Sequence, residues 1–213
     1  MSLELYFHPL ASYCWKVLIA LYESETPFVP RVTELGNQAS RDELKALWPF
    51  AKFPVIRDRG RVIAESSIII EYLTQNYVGA ASLLSSDREQ ALETRFQDRF
   101  FDIYVHVPMQ KIVGDKRRPV GSTDAHGVNE ARHLIETAYD ILEAQMSSRA
   151  WAAGDVFTMA DCSAYPALYY ANRVAPWGAA RKHTAAYVAR LQARPSVKRV
   201  MAEAQPYLHL FPA

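Results

Sequence analysis

A serine and a cysteine lie between the first predicted strand and the first predicted helix. In the stretch "YFHPLASYCWKVLIALYE" these residues are Ser12 and Cys14. Serine is a preferred N-cap, because its hydroxyl accepts a hydrogen bond from a free backbone N–H. Beside the positive end of a helix dipole, the same hydroxyl can donate to a thiolate. Local sequence therefore allows two interpretations of Ser12, a helix cap and a binding group for a sulfur-bearing ligand.

A second candidate binding segment is Phe53-Pro54-Val55, which begins the third predicted strand. An X–Pro bond adopts the cis form at a cost of only about 0.5–1 kcal/mol. A cis bond would turn the Phe53 N–H and C=O outward, where they could pair with a peptide-like ligand as an added strand does. A trans proline at the start of an ordinary strand is the alternative.

Glu65 and Ser66 form a third candidate, where the fourth predicted strand ends and a helix begins. A helix N-terminus offers free N–H groups and partial positive charge, which suit a carboxylate. Ser66 could add a hydroxyl donor, and Glu65 could accept from an ammonium group. The pair fits the α-amino acid end of a ligand, although a capping serine beside a surface glutamate has the same sequence.

The elements that would position these residues fall into two parts. Strand and helix patterns alternate in the order β-α-β-α-β-β-α up to about residue 78, and the turn Asp58-Arg59-Gly60 joins the last two strands. The rest is helical, with predicted helices at 88–106, 125–146, 159–173, 184–194 and 196–204. We therefore expect a mixed α/β domain at 1–79, a linker at 80–87 and an all-helical domain at 88–213. Pro108 should break or kink the first long helix.

Composition excludes several classes of protein. The 213 residues carry 24 basic and 23 acidic side chains, so no global charge favours nucleic acid or an anionic membrane. Two cysteines are too few for a disulfide framework and indicate a reducing compartment. We see no secretory signal and no apolar run of about 18 residues, and expect a cytoplasmic protein without a metal site. The basic segment 116–118 is interpreted as a solvated loop.

These motifs resemble those of the cytosolic glutathione S-transferases over essentially the whole chain. The similar segments, in family order, are "ASYCWKVLIAL", "WPFAKFPVI", "ESSIIIEYL", "AWAAGDVFTMADCSAYPAL" and "RPSVKRVMAEA". The first is similar to the serine/cysteine-type active-site turn of bacterial, theta-like and zeta-like members. Ala51 departs from the pattern, since the family usually has glycine there.

The resemblance implies a thioredoxin-like domain that binds glutathione and a helical domain that contributes a site for a hydrophobic substrate. It implies that Ser12 donates to the glutathione sulfur and that Phe53, Pro54 and Val55 present backbone to the cysteinyl part. Glu65 and Ser66 would hold the γ-glutamyl end, and Lys52 would reach the glycine carboxylate. The implied activity is conjugation of glutathione to hydrophobic electrophiles in detoxification, by a homodimer that binds neither nucleic acid nor membrane.

Several alternatives remain open at this point. Cys14 could form a mixed disulfide with glutathione, which would make the chain a thiol transferase, and Tyr6 lies where other classes keep a catalytic tyrosine. A glutathione-dependent isomerase of the maleylacetoacetate type also resembles the first turn, although Ala11 replaces the first of its paired serines. A glutathione-binding scaffold without turnover is a further possibility. Candidates for the second-substrate site are Tyr104, His106, Met109 and Phe211.

Overall fold

The computed structural model describes residues 2–34 and 36–212, and its N-terminal part is built on a four-stranded sheet. The elements are β1 (Glu4–Phe7), α1 (Ser12–Glu23), β2 (Val29–Val32), α2 (Gln38–Leu47), β3 (Val55–Asp58), β4 (Arg61–Ala64) and α3 (Ser66–Asn76). The strand order is β2-β1-β3-β4, with β2 parallel to β1 and the other pairs antiparallel. This confirms the predicted β-α-β-α-β-β-α order. Pro30 lies in β2, which is an edge strand of the sheet.

The helical part follows, and the predicted class of α/β domain plus all-α domain is confirmed. Its elements are α4 (Arg88–Phe100), a π-helical segment (Phe101–His106), α5 (Val107–Asp115), α6 (Ala125–Met146), α7 (Met159–Val174), α8 (Lys182–Ala193), α9 (Pro195–Ala204) and a final 3-10 helix (Gln205–Leu210). Helix α7 packs against α1, α4, α5 and α8 and begins with a capping box of Thr158 and Asp161.

Helix α1 joins the two parts. Its residues are buried without a break from Cys14 to Leu21, because the helix packs against α3 on one side and against α7 and α9 on the other. An amphipathic helix at a domain surface would keep one polar face. The unbroken burial of α1 means that any polar side chain on it must find its partners inside the protein.

The first long helix does not break at Pro108, which was one of the two predicted effects of that proline. The chain stays helical from Arg88 to Asp115, and the six residues from Phe101 to His106 adopt π-helical hydrogen bonding. Proline lacks an N–H and its ring crowds the carbonyl four residues earlier. A wider turn just before Pro108 accommodates the ring without a break, and such turns occur frequently at functional sites.

The predicted linker at 80–87 overlaps a second 3-10 helix, Val78–Leu83, whose Ala80 and Leu83 are buried. A Cβ at Gly79 would overlap the Ser24 carbonyl oxygen, so the chain passes close to the end of α1 there. The proposed domain boundaries remain predictions, and their outer ends, residues 1 and 213, lie outside the described residues.

Two kinds of feature do not occur in residues 2–34 and 36–212. No helix there has both the length and the apolar character needed to cross a bilayer. No group of three or more His, Cys, Asp and Glu side chains there could hold a metal ion.

Candidate active site

Two adjoining cavities open at the N-terminus of α1. The first, of about 690 Å³, is lined by Ser12, Met109, Tyr170 and Phe211 among others, and we call it the aromatic cavity. The second, of about 600 Å³, is lined by residues that include Glu65, Ser66, Ser67, Asp98 and Asp102, and we call it the polar cavity. Tyr13, Lys52, Phe53 and Gln110 line both. A larger groove of about 790 Å³ between β2 and α9 contains none of the predicted site residues.

Ser12 is the first residue of α1 but does not cap it. The N-cap is Ala11, which makes no side-chain cap bond. The Ser12 Oγ instead lies 2.5 Å from the Nε2 of His106, 94 residues further along the chain. Among the described residues, the backbone N–H groups of Ser12 and Tyr13 have no acceptor. The capping interpretation of Ser12 is therefore wrong, and its hydroxyl and the free N–H groups lie together at the cavity.

His106 lies beneath Ser12, so the prediction that it lines the second-substrate cavity is wrong. Its side chain is buried, and its ring stacks on that of Tyr13 with 3.8 Å between centroids and 11° between planes. Burial lowers the pKa of His106 to about 3, because desolvation disfavours the charged form. The imidazole is therefore neutral at physiological pH.

A buried lysine connects the two parts of the protein below the polar cavity. The Lys16 Nζ lies 2.7 Å from Asp98 Oδ1 and 2.9 Å from Asp102 Oδ2, and it donates to the Ser67 Oγ at 2.8 Å. Ser163 of α7 donates to Asp102 Oδ1 at 3.0 Å. Burial raises the pKa of Asp98 despite the nearby ammonium group. We call Lys16, Asp98, Asp102 and His106 the polar floor.

Sequence reasoning missed the polar floor, although the chain contains a signal for it. Asp102 and His106 are four residues apart in the apolar run "FFDIYVHV", so they share one helix face. Asp98 lies one turn earlier on the same face. A polar stripe among large apolar residues indicates buried, paired groups rather than a solvated surface.

The Phe53–Pro54 peptide bond is cis, as the sequence allowed. Within the described chain, the Phe53 N–H and carbonyl make no backbone hydrogen bond. Val55 is buried in β3 and pairs with both Tyr6 and Ala64. Ala51 has a φ of 50°, in the left-handed region that favours glycine.

Glu65 adopts an uncommon backbone conformation at the start of α3. It is the N-cap residue, with φ 70° and ψ 118°, and its side chain is exposed and makes no cap bond. Such conformations in residues other than glycine cost about 1–3 kcal/mol and cluster at ligand-binding positions. Ser66, the first residue of the helix, is buried and lines the polar cavity with Glu65.

The two alternative catalytic residues lie away from both cavities. Cys14 is fully buried, and desolvation raises the pKa of its thiol. Tyr6 is buried against Leu44 and Val55, and desolvation raises the pKa of its hydroxyl. A buried thiol with a raised pKa does not fit the role of a nucleophile.

Of the remaining second-substrate candidates, Met109 and Phe211 line the aromatic cavity, whereas Tyr104 does not. Tyr104 is exposed and packs on Phe100. Sequence reasoning missed Tyr170, whose hydroxyl donates to the Leu10 carbonyl at 2.7 Å.

The end of the chain also contributes to the aromatic cavity. Tyr207, Leu210 and Phe211 line it, and we call them the C-terminal wall. Arg117 lines it too, although the segment 116–118 was interpreted as solvated only.

Comparison with known proteins agrees with this architecture. Residues 5–81 match the sequence model of the glutathione S-transferase N-terminal domain, and residues 125–203 match that of the C-terminal domain. The chain is 26% identical over 211 residues to glutathione S-transferase F6 of Arabidopsis thaliana, covering 94% of this chain and 99% of that protein. It is 28% identical over 175 residues to a probable maleylacetoacetate isomerase of Caenorhabditis elegans, covering 79% and 78%.

A solved structure shows the same fold. The glutathione S-transferase of Methylobacillus flagellatus KT, with glutathione bound, aligns with a TM-score of 0.86 at 21% identity, covering 93% of this chain and 98% of that one. The two domain models lie in the α/β part and the helical part respectively, in the family's order. The chain therefore belongs to the glutathione S-transferase family of enzymes.

Proposed function

We propose that this protein binds glutathione across the two cavities and joins it to a hydrophobic electrophile in the aromatic cavity. The glutathione thiolate forms a bond to an electrophilic carbon, and the leaving group of the electrophile departs with the bonding electrons. The observation that carries the proposal is the position of the Ser12 hydroxyl. It lies at the start of α1, does not cap the helix, lines the aromatic cavity and has two free backbone N–H groups beside it. A sulfur anion needs such a cluster of donors at a helix N-terminus.

The residues around Ser12 fit the rest of glutathione. The unpaired backbone groups of Phe53 suit the cysteinyl amide, as in strand addition. Ser66 and the N-terminus of α3 suit the γ-glutamyl carboxylate, and the exposed Glu65 suits its ammonium group. Lys52, at the junction of the cavities, suits the glycine carboxylate. In each assignment, a charged or hydrogen-bonding group of the protein meets a glutathione group of opposite charge or complementary hydrogen-bonding type.

The energetics are consistent with Ser12 as a hydrogen-bond donor rather than a nucleophile. Bound glutathione supplies the sulfur nucleophile, and a free thiol with a pKa of about 8.5 is only about 3% ionised at pH 7. Lowering that pKa by two units requires about 2.7 kcal/mol of preferential binding of the thiolate. A hydroxyl donor to a charged acceptor contributes about 1.5–3 kcal/mol. The N-terminus of α1 adds about 0.3–1 kcal/mol.

Glutathione-dependent isomerisation is a second candidate function. The similarity to the probable maleylacetoacetate isomerase of Caenorhabditis elegans favours it. It would use the same thiolate, which would add to the substrate and leave again. A cis–trans isomerisation assay with a maleyl substrate, with and without glutathione, distinguishes it from stable conjugation.

We further propose that the protein is a homodimer. Large apolar side chains are exposed on the loop before β3, on α3, on α4 and on the π-helical segment: Phe50, Ile68, Leu92, Phe96 and Ile103. Phe50 alone is 71% exposed. Exposed apolar side chains of this size suit burial in a protein–protein interface when they share one surface. Analytical ultracentrifugation of the wild type and of Phe96→Asp tests this proposal, because the charge should shift the dimer toward monomer.

The test of the main proposal compares Ser12→Ala with Cys14→Ala. Ser12→Ala should lower kcat/KM for conjugation of an aryl halide by about 10- to 100-fold, because the hydrogen bond to the thiolate is lost. Retention on immobilised glutathione should persist, since most contacts remain. Cys14→Ala should keep both properties.

Other outcomes would contradict the proposal in distinct ways. Loss of activity in Cys14→Ala with full activity in Ser12→Ala would identify a thiol transferase. Tight glutathione binding with no turnover across a panel of electrophiles would identify a scaffold.

A further inference from the structure

In the hydrogen bond between Ser12 and His106, either the hydroxyl or the imidazole Nε2 can be the donor. The two heavy atoms, Ser12 Oγ and His106 Nε2, are 2.5 Å apart. A neutral imidazole has one N–H and one bare nitrogen, so Nε2 is either the donor or the acceptor. If Nε2 accepts, the hydroxyl proton points inward and the Oγ lone pairs face the cavity. If Nε2 donates, the hydroxyl proton is free to point into the cavity.

These two arrangements differ in their effect on a thiolate. Oγ lone pairs directed at a sulfur anion would repel it, whereas a hydroxyl proton directed at it would stabilise it. A donor that is itself hydrogen-bonded at its oxygen is polarised and becomes a stronger donor. A thiolate at this position therefore favours the form in which Nε2 carries the proton.

We propose that His106 is a positioning residue that donates its Nε2–H to Ser12 and thereby directs the Ser12 hydroxyl proton at the glutathione sulfur. This inference rests on the proposed function, since it assumes that glutathione binds with its sulfur at Ser12. His106 does not touch the ligand in this arrangement. It acts through Ser12 alone.

The surroundings of His106 suit such a role. The ring is 1% exposed and is fixed by its stack on Tyr13, so it has little freedom to turn away from Ser12. The charged groups that act on it are Asp102, on its own segment, and Lys16, on α1. Those two lie 2.9 Å apart, and Lys16 also contacts Asp98 at 2.7 Å. Burial keeps the ring uncharged with a single proton, because desolvation is the largest influence on it.

The position in the π-helical segment explains how His106 reaches Ser12. The segment ends at His106, two residues before Pro108, and it packs against α7 and α4. A π turn shifts the following side chains around the helix axis relative to an α-helix. Pro108, whose ring the wide turn accommodates, thus lies only two residues from His106, whose side chain that turn places beside Ser12.

Mutants test the inference through the pKa of the bound glutathione thiol, measured from the ultraviolet absorbance of the thiolate as pH is varied. His106→Leu should raise this pKa by about one unit, because Ser12 loses the group that orients its proton. His106→Gln should restore part of the shift, since its amide N–H can donate to Ser12. The double variant Ser12→Ala/His106→Leu should match Ser12→Ala, because His106 acts only through Ser12.

The outcomes separate this inference from the proposed function. If Ser12→Ala raises the pKa of the bound thiol and His106→Leu does not, the role of His106 is refuted and the proposed function stands. If Ser12→Ala leaves that pKa unchanged, the proposed function fails.

A measurement on the wild-type protein does not depend on the folding of any variant. Nitrogen-15 NMR of the glutathione complex reports which imidazole nitrogen of His106 carries the proton. Protonation at Nε2 supports the inference. Protonation at Nδ1 overturns it, even if every variant is unstable.

Discussion

The polar floor lies below the polar cavity and the C-terminal wall lines the aromatic cavity, and the two are built in opposite ways. The four floor residues are buried. Three of them, Lys16, Asp98 and Asp102, are joined with Ser67 by contacts of 2.6–2.9 Å. The wall comes from the last turn of the chain, where Leu210 is exposed. Phe211 packs on the ring of Tyr170 with 5.0 Å between centroids, and the Arg173 guanidinium lies over the Phe211 ring at 5.7 Å from the ring centroid.

This difference indicates how the site divides its tasks. Buried polar groups held by several contacts keep one geometry, which a donor to a thiolate requires. Partly exposed side chains with few neighbours can adjust to ligands of different shape. Under the proposed function, the glutathione half of the site would therefore be preorganised and the second-substrate half adaptable.

Removal of the lysine of the polar floor should have the largest effect on stability. Lys16→Met leaves Asp98 and Asp102 buried without a counter-ion, so the free energy of unfolding should fall by about 3–5 kcal/mol. Lys45→Met is the matched control, because Lys45 is exposed. This variant should change the free energy of unfolding by less than about 0.5 kcal/mol. Urea denaturation measures both. Equal stability of the two variants would show that the floor is not a rigid unit.

Acid should destabilise the protein through His106. Its pKa is about 3 in the folded protein and near 6.5 in the unfolded chain. Between these values the unfolded chain binds a proton that the folded protein does not. The free energy of unfolding should therefore fall as pH decreases from 6.5 toward 3, by up to about 1.4 kcal/mol per pH unit.

The comparison variant for this effect is His106→Gln, which cannot titrate. Between pH 6.5 and 4.5 the wild type should lose up to about 2.7 kcal/mol more than the variant in urea denaturation. Parallel pH profiles for the two proteins would mean that His106 is not held neutral by burial.

Glu65 lies at the rim of the polar cavity. Substitutions of this residue should affect protein stability and glutathione affinity differently. Its φ of 70° is unfavourable for any residue with a Cβ. Glu65→Gly should therefore be more stable than Glu65→Ala by about 1–2 kcal/mol. Both should lose glutathione affinity alike, since both lack the carboxylate. Calorimetric titration and thermal unfolding measure the two properties, and equal stabilities would show that the backbone of Glu65 is unstrained.

A change in the C-terminal wall should have the smallest effect. Phe211→Ala removes part of one apolar contact surface, so KM for a hydrophobic electrophile should rise by about fivefold. KM for glutathione in the same variant is the internal control and should stay unchanged. A rise in KM for glutathione instead would place the wall in the glutathione half of the site.

Local sequence was sufficient for the parts of the site that depend on local backbone geometry. The start of α3 at Ser66 follows from the residue types at one point of the chain. The cis bond before Pro54 is one of the two forms that the local sequence allowed. Proline restricts its own backbone, and a serine after a strand indicates a helix start. Such features need no knowledge of distant contacts.

The polar floor could not be predicted in the same way, because it depends on contacts between residues far apart in the sequence. Lys16 meets Asp102 across 86 residues, and Ser12 meets His106 across 94. Spacing within "FFDIYVHV" predicts that Asp102 and His106 share a face, but not what that face contacts. Of the C-terminal wall, only Phe211 was predicted. Over a segment this short, the spacing of apolar residues does not distinguish side chains that line a cavity from side chains in the core.

The most direct test of the account is a crystal structure of the protein with glutathione bound. The account predicts that the glutathione sulfur lies within hydrogen-bonding distance of the Ser12 Oγ, while His106 Nε2 still contacts that oxygen. A sulfur placed beyond that distance, or glutathione bound outside the two cavities, would contradict it.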